Sequence, residues 1–167
     1  MRVLLIVVAL FATACAPTTA RPQPFPGHPS STTAPAAPAD TPEPGANGYE
    51  VSGTALELRG SPYRNGGADP NGFDCSGFVW YVFAQHGLAL PRTVQDQFRI
   101  GGSVAPSELR AGDLVFFTTT APGASHVGIV IGGDSFVHAP ASNGVVRVER
   151  LGAPYWASRF VGARRIL

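Results

Sequence analysis

The five residues Asp74-Cys75-Ser76-Gly77-Phe78 follow a loop rich in Gly, Pro and Asn and place one thiol where a helix should begin. A carboxylate at Asp74 can accept from first-turn N–H groups, and Gly87 suits the left-handed residue after a helix, so the spacing predicts a helix over 75–86. Cys75 then occupies the first turn. The unpaired N–H groups and the positive dipole end there favour thiolate, the nucleophilic form. The competing reading is a buried, inert cysteine, because Phe78, Val79, Val82 and Phe83 follow at helical spacing and put Cys75 on the apolar face. Position on the helix does not decide between the two.

Working outward, the segment before this helix holds a short helix predicted over 54–59, with Glu57 three residues after Thr54 as in a capping box and Gly60 ending it. Gly60-Ser61-Pro62-Tyr63-Arg64-Asn65-Gly66-Gly67 is a loop by its Gly and Pro content. Beyond it, Thr93-Val94-Gln95-Asp96 opens another helix running to about Ile100. The periodicity then changes. Residues 113–117, 126–131, 135–139, 145–150 and 160–164 are short, rich in β-branched and aromatic side chains, and separated by Gly or Pro. They are predicted to be strands of one mostly antiparallel sheet. Helices first and a sheet afterwards make an α+β domain, placed over 49–167.

Two of those strands carry histidines on either side of Gly132-Gly133, a hairpin signal. A turn centred on Gly132 pairs His126 with His138; a longer loop centred on Gly133 pairs His138 with Gly128, one step from His126 on the same face. Both registers bring the imidazoles together. A two-residue turn at Gly132-Gly133 puts them on opposite faces instead. Two histidines can also open a metal site, but no third or fourth ligand stands at suitable spacing, with His28 far upstream and His86 at the other end of the helix. A helix-borne thiol plus two sheet histidines fits nucleophile, base and a residue that orients the base.

The remainder of the chain is different in kind. Arg2, the apolar run over 3–11 and the small residues Ala12, Thr13 and Ala14 precede Cys15, and this reads as a signal peptide over 1–14, too short to span a bilayer. A small-residue site ending on a Cys predicts lipidation of Cys15 as the mature N-terminus, although Ala12 stands where such sites usually carry Leu; plain secretion is the alternative. Residues 16–48 hold nine of the sixteen prolines and almost no large apolar side chain, so 15–48 is predicted to be a lipidated Cys followed by a disordered tether. Cys15 and Cys75 lie in such different settings that no disulfide is expected. The net charge is +1, and the twelve basic residues, all Arg, are scattered among eleven acids, which disfavours nucleic acid as a partner.

Six stretches together carry a resemblance. Residues 60–67 quoted above, Phe73-Asp74-Cys75-Ser76-Gly77-Phe78-Val79, Leu90-Pro91-Arg92-Thr93, Arg110-Ala111-Gly112-Asp113-Leu114-Val115-Phe116-Phe117, His126-Val127-Gly128-Ile129-Val130 and Phe136-Val137-His138-Ala139 resemble, in order, the NlpC family of bacterial cell-wall cysteine peptidases. The resemblance implies a reduced papain-like fold and a peptidoglycan endopeptidase acting on stem peptides. It further implies Cys75 as nucleophile, His126 as base, His138 as the residue orienting His126, and Tyr63 as an oxyanion contact with the Cys75 backbone N–H. Asp74, Ser76 and Arg92 match positions near the substrate groove, and Asp113 a turn or cap before its strand. No metal or organic cofactor is implied. The expected setting is a monomer anchored by lipid to the outer membrane and facing the periplasm, with no residue pointing to a regulatory partner. An amidase or acyltransferase on the same fold, or a silent wall-binding lipoprotein, are the alternatives.

Overall fold

In the computed structural model, residues 47–141 and 144–167 are described. The predicted signal peptide, Cys15 and almost all of the predicted tether lie outside the described residues.

The chain enters through α1, Gly48–Glu57, capped by Asn47, whose side chain accepts from the Glu50 backbone N–H at 2.9 Å while Glu50 reaches back to the Asn47 N–H. This corrects the expected helix over 54–59. Asn47-x-x-Glu50 is the working capping box, and Thr54 lies inside the helix with its hydroxyl 2.9 Å from His86 Nε2. A two-residue hairpin follows, β1 (Ala68–Asp69) and β2 (Gly72–Phe73), too short to leave a periodic signal. Then come α2, Cys75–Gln85, and α3, Val94–Arg99, capped by Thr93, both within a residue of expectation.

The remaining strands form one six-stranded antiparallel sheet. They are β3 (Gly102–Val104), β4 (Leu114–Phe117), β5 (His126–Gly132), β6 (Ser135–His138), β7 (Arg147–Arg150) and β8 (Phe160–Arg165), in the order β3-β8-β4-β5-β6-β7. Strand β3, not expected from sequence, adds to the β8 edge. Residues 145 and 146 precede β7, and Val145 bridges Pro62 instead. A four-residue helix, α4 (Pro154–Ala157), links β7 to β8.

Alternation along the central strands gives the sheet two buried faces. Leu114, Phe116, Val127, Ile129 and Val137 meet Val51 and Ala55 of α1 and Phe78, Val79, Val82 and Phe83 of α2 on one face. Val115, Phe117, Val130, Phe136 and Ala163 pack under Trp156 on the other. A fully buried Phe of this kind contributes about 1.5–3 kcal/mol. At the edge of the domain Asp113, almost wholly buried, accepts from the Arg110 backbone N–H at 2.8 Å and from Arg165 Nε and Nη2 at 2.8 and 2.7 Å. That is the turn before β4 that its sequence position suggests.

Candidate active site

Cys75 is the first residue of α2, and the apolar face of the helix seats that end against β5. The backbone N–H of Val127, one residue past His126, lies near enough to the Cys75 sulfur to favour its thiolate. Nucleophile helix and histidine strand therefore meet at adjacent residues.

The hairpin decides whether His138 joins them. Gly132 pairs with Ser135, a two-residue turn over Gly133-Asp134 whose odd register, continued unchanged, would carry the histidines to opposite faces. A bulge between Val130 and Gly132 absorbs one residue, so that Val130 pairs with Phe136 and Ile129 with Val137. This is the register that sets His138 opposite Gly128. His126 Nε2 and His138 Nδ1 are hydrogen-bonded at 2.7 Å, with the rings nearly perpendicular. The bond occupies one nitrogen of His126 and leaves Nδ1 as its second. Gly128 makes the geometry affordable, since a Cβ there would stand 2.6 Å from the Phe136 ring and 3.2 Å from His138 Cβ.

Both imidazoles are buried. Burial lowers His126 to about 4. It also lowers His138, where the positive charges of His126 and Arg147 add to the effect. Each ring is thus neutral at neutral pH. The thiol is shifted the other way: burial, then the adjacent Asp74 carboxylate, push Cys75 up to about 11, against a smaller downward pull from the N–H groups of Val127, Ser76 and Cys75 itself. The expectation that the helix start favours thiolate is therefore corrected. Desolvation outweighs the helix end, and the resting pair is thiol and neutral imidazole.

Tyr63 packs against the same core as Cys75, held in place by its backbone N–H donating to Gly144 O at 2.8 Å and by a bridge to Phe73. Its hydroxyl is held above the ordinary phenol value by burial and by the charges of Cys75 and Asp74. Asp74, Ser76 and Arg92 bind one another. Asp74 Oδ1 accepts from the Gly77 N–H at 2.6 Å and Arg92 Nη1 at 2.9 Å, and Oδ2 accepts from Arg92 Nη2 at 2.7 Å. Arg92 also donates to Ser76 Oγ at 2.9 Å and to Gly67 O at 3.2 Å. A bidentate ion pair thus clamps the start of α2 to the preceding loop. Gly77 allows the approach, because a Cβ there would fall 2.0 Å from Gly67 O.

Two contributors escaped sequence reasoning. Trp156 of α4 stacks on His126, with centroids 5.5 Å apart, and stands edge-on to His138 at 4.9 Å. Pro154 at a helix start was the local cue for α4, but no spacing ties position 156 to 126. Buried Gln97 donates from Nε2 to Ser76 O at 3.0 Å and Pro91 O at 2.8 Å, joining α3 to the first turn of α2. Beside His126 opens a cavity of about 390 Å³, lined in part by Arg147, Glu149, Tyr155 and Trp156.

A thiol at a helix start packed on the strand that carries one of two bonded histidines, in an α+β domain, defines the papain-like class of cysteine peptidase folds. Within that class the chain belongs to the NlpC/P60 family, whose model matches residues 60–165. It is 47% identical over 112 residues to the Escherichia coli K12 protein named murein DD-endopeptidase MepS/murein LD-carboxypeptidase, covering 66% of this chain and 58% of that one. Over 118 residues it is 41% identical to the Bacillus subtilis gamma-DL-glutamyl hydrolase, covering 67% of this chain and 28% of the other. A crystal structure of an NlpC/P60 family protein from Bacillus cereus superposes with a TM-score of 0.69 at 33% identity, over 74% of this chain and 41% of that one. The chain thus spans little more than half the length of MepS and less of the other two.

Proposed function

We propose that the protein hydrolyses peptide bonds in the stem peptides of peptidoglycan through a thioester on Cys75. The observation that carries this reading is the His126–His138 bond, formed on the strand against which the Cys75 end of α2 packs, one residue from Val127, whose N–H favours the thiolate. The relatives are named murein and peptidoglycan endopeptidases, which supports a cell-wall substrate and a site of action outside the cytoplasm.

Starting from neutral partners, His126 Nδ1 takes the thiol proton as Sγ attacks the scissile carbonyl carbon. His138, bonded to Nε2, orients the ring and stabilises the imidazolium that forms. The oxyanion is held by the Cys75 backbone N–H, one of the unpaired donors of the helix start, and by the Tyr63 hydroxyl. The imidazolium then protonates the departing amine, and water deprotonated by the same ring cleaves the thioester. Part-exposed Asp74 and Arg92 are assigned to substrate contact at the Cys75 end, with buried Ser76 holding them in place.

The test is mass spectrometry of muropeptides after digestion of purified sacculi by the wild type and by Cys75→Ser. Shortened or uncrosslinked stems released only by the wild type support an endopeptidase. Free intact stems would make it an amidase, and unchanged products would make it a binder. The bond itself is read from the same products, since the two relatives are named for different linkages. We further assign Cys15 as the lipidated N-terminus on the Ala12-Thr13-Ala14-Cys15 pattern, and the outer membrane, facing the periplasm, as the site of anchoring on Ala16, rather than Asp, after it. Labelling with a radioactive fatty acid should mark the wild type and not Cys15→Ser; equal labelling would remove the assignment.

A further inference from the structure

His126 becomes positively charged in the proposed reaction, at a place whose burial disfavours charge. Its Nδ1 takes the thiol proton, so in the resting enzyme Nδ1 is bare and Nε2–H donates to His138 Nδ1 at 2.7 Å. His138 then carries its own proton on Nε2, which is buried and has no hydrogen-bond partner among the described residues. Passing the Nε2 proton of His126 on to His138 would leave a cation there with that N–H still unpaired and the positive charge of Arg147 acting on it, so the charge stays on His126. The charged and titratable groups on the surrounding elements are Asp74 and Cys75 at the start of α2, His138 on β6, Arg147 and Glu149 on β7, and Tyr155 on α4. Both carboxylates are committed to arginines, Asp74 to Arg92 and Glu149 to Arg147, and neither is bonded to an imidazole.

What faces the cation is an aromatic ring. Trp156 stacks on His126 with the planes 25° apart and the centroids 5.5 Å apart, inside the roughly 6 Å at which a π face attracts a cation. Phe117 is more tilted and lies farther off, at 6.4 Å. Indole is the strongest of the side-chain π faces, and Trp156 is only 7% exposed, so little water screens the attraction. The indole is itself fixed, by Phe117 at 4.8 Å and by Phe136 and Tyr155 edge-on at 5.2 and 4.8 Å. We propose that Trp156 is a positioning residue of the hydrolase, whose π face fixes the plane of the His126 ring and stabilises its imidazolium form, the part a carboxylate plays in a Ser-His-Asp triad. This rests on the thioester hydrolase reading. A neutral ring gains little from the face and the cation gains more, so the contribution belongs to the step that forms the cation and not to the resting enzyme.

The experiment alters the π face while keeping its shape. In the full chain carrying Trp80→Phe, at an exposed position of α2, Trp156 is the sole tryptophan, and it is replaced biosynthetically by tryptophan bearing one, two or three ring fluorines. Fluorine draws electron density from the ring and leaves its size nearly the same. The kcat for cleavage of soluble muropeptides at pH 7 should fall stepwise with fluorine number, to about a tenth at three, with KM within about twofold. Trp156→Leu should lose about 10- to 30-fold in kcat, Trp156→Phe less, and the acid limb of kcat/KM should move to lower pH in Trp156→Leu, because the imidazolium is harder to form without the face. A flat fluorine series, or an acid limb moved to higher pH in Trp156→Leu, would overturn the inference and leave the hydrolase reading standing; the second is what water reaching the ring would produce. Should Trp156→Leu fail to fold, the fluorine series decides alone. No cleavage of muropeptides by the wild type would overturn both readings.

Discussion

His126 and His138 are kept neutral by burial, and that has a consequence for stability. Both folded values lie below the ordinary 6.5, so between 6.5 and the folded values the unfolded chain binds protons that the folded chain does not. Stability is complete above about pH 6.5 and is lost as pH falls through that window, at about 1.4 kcal/mol per pH unit for each histidine whose protonation is fully coupled to unfolding. Urea midpoints at pH 7 and pH 5 should show the drop, and equal midpoints would contradict it. The same shift puts the acid limb of kcat/KM below 6.5, toward the value of about 4 for His126, as a property of the interacting pair. Arg92 sets the other end of the site. Replacing it by Leu leaves the Asp74 carboxylate, 15% exposed, without its bidentate partner beside Cys75, and should cost about 1–3 kcal/mol. It should also slow alkylation of the thiol near neutral pH, because the uncompensated carboxylate disfavours the thiolate further; an unchanged rate would separate Asp74 from the control of Cys75.

The β5–β6 hairpin does the assembling among the elements. Gly128 lies opposite His138, and a methyl group there has no room without moving the Phe136 ring or His138. Gly128→Ala should cost about 1–3 kcal/mol, the scale of overpacking, and reduce hydrolysis by more than the fraction unfolded, because the His126–His138 bond is the contact that yields. Activity tracking the folded fraction alone would sink that reading. How much of this was legible differs by element. Helix α2 was, because Asp74 and Gly87 are local signals and four apolar residues mark its face. Helix α1 was misplaced, since two capping-box patterns, at 47–50 and 54–57, lie in one short stretch and only packing of Val51 and Ala55 into the core selects the first. Strands β1, β2 and β3 have two or three residues each, too few to establish alternation.

At the scale of the whole domain, the sheet separates two cores, and the site depends on both. The helix side places Cys75, while the opposite side, around Phe117, Phe136 and Trp156, forms the wall behind the histidines. Phe117 is fully buried against Phe136, Trp156 and Phe160, so Phe117→Ala should cost about 3–5 kcal/mol in urea unfolding. A cost below about 1 kcal/mol would mean that this second core carries no weight. The sequence by itself determined what is local or periodic: the thiol at a helix start, the apolar face behind it, the alternating strands, and a hairpin carrying two histidines. Only the tertiary structure decided that a bulge converts the odd turn into an even register, that Trp156 closes over His126, and that burial leaves a neutral thiol where the helix end alone favoured a thiolate. Those outcomes come from contacts between segments far apart in the chain, and the free energy of desolvation depends on every neighbour at once, so no spacing within a single segment encodes them.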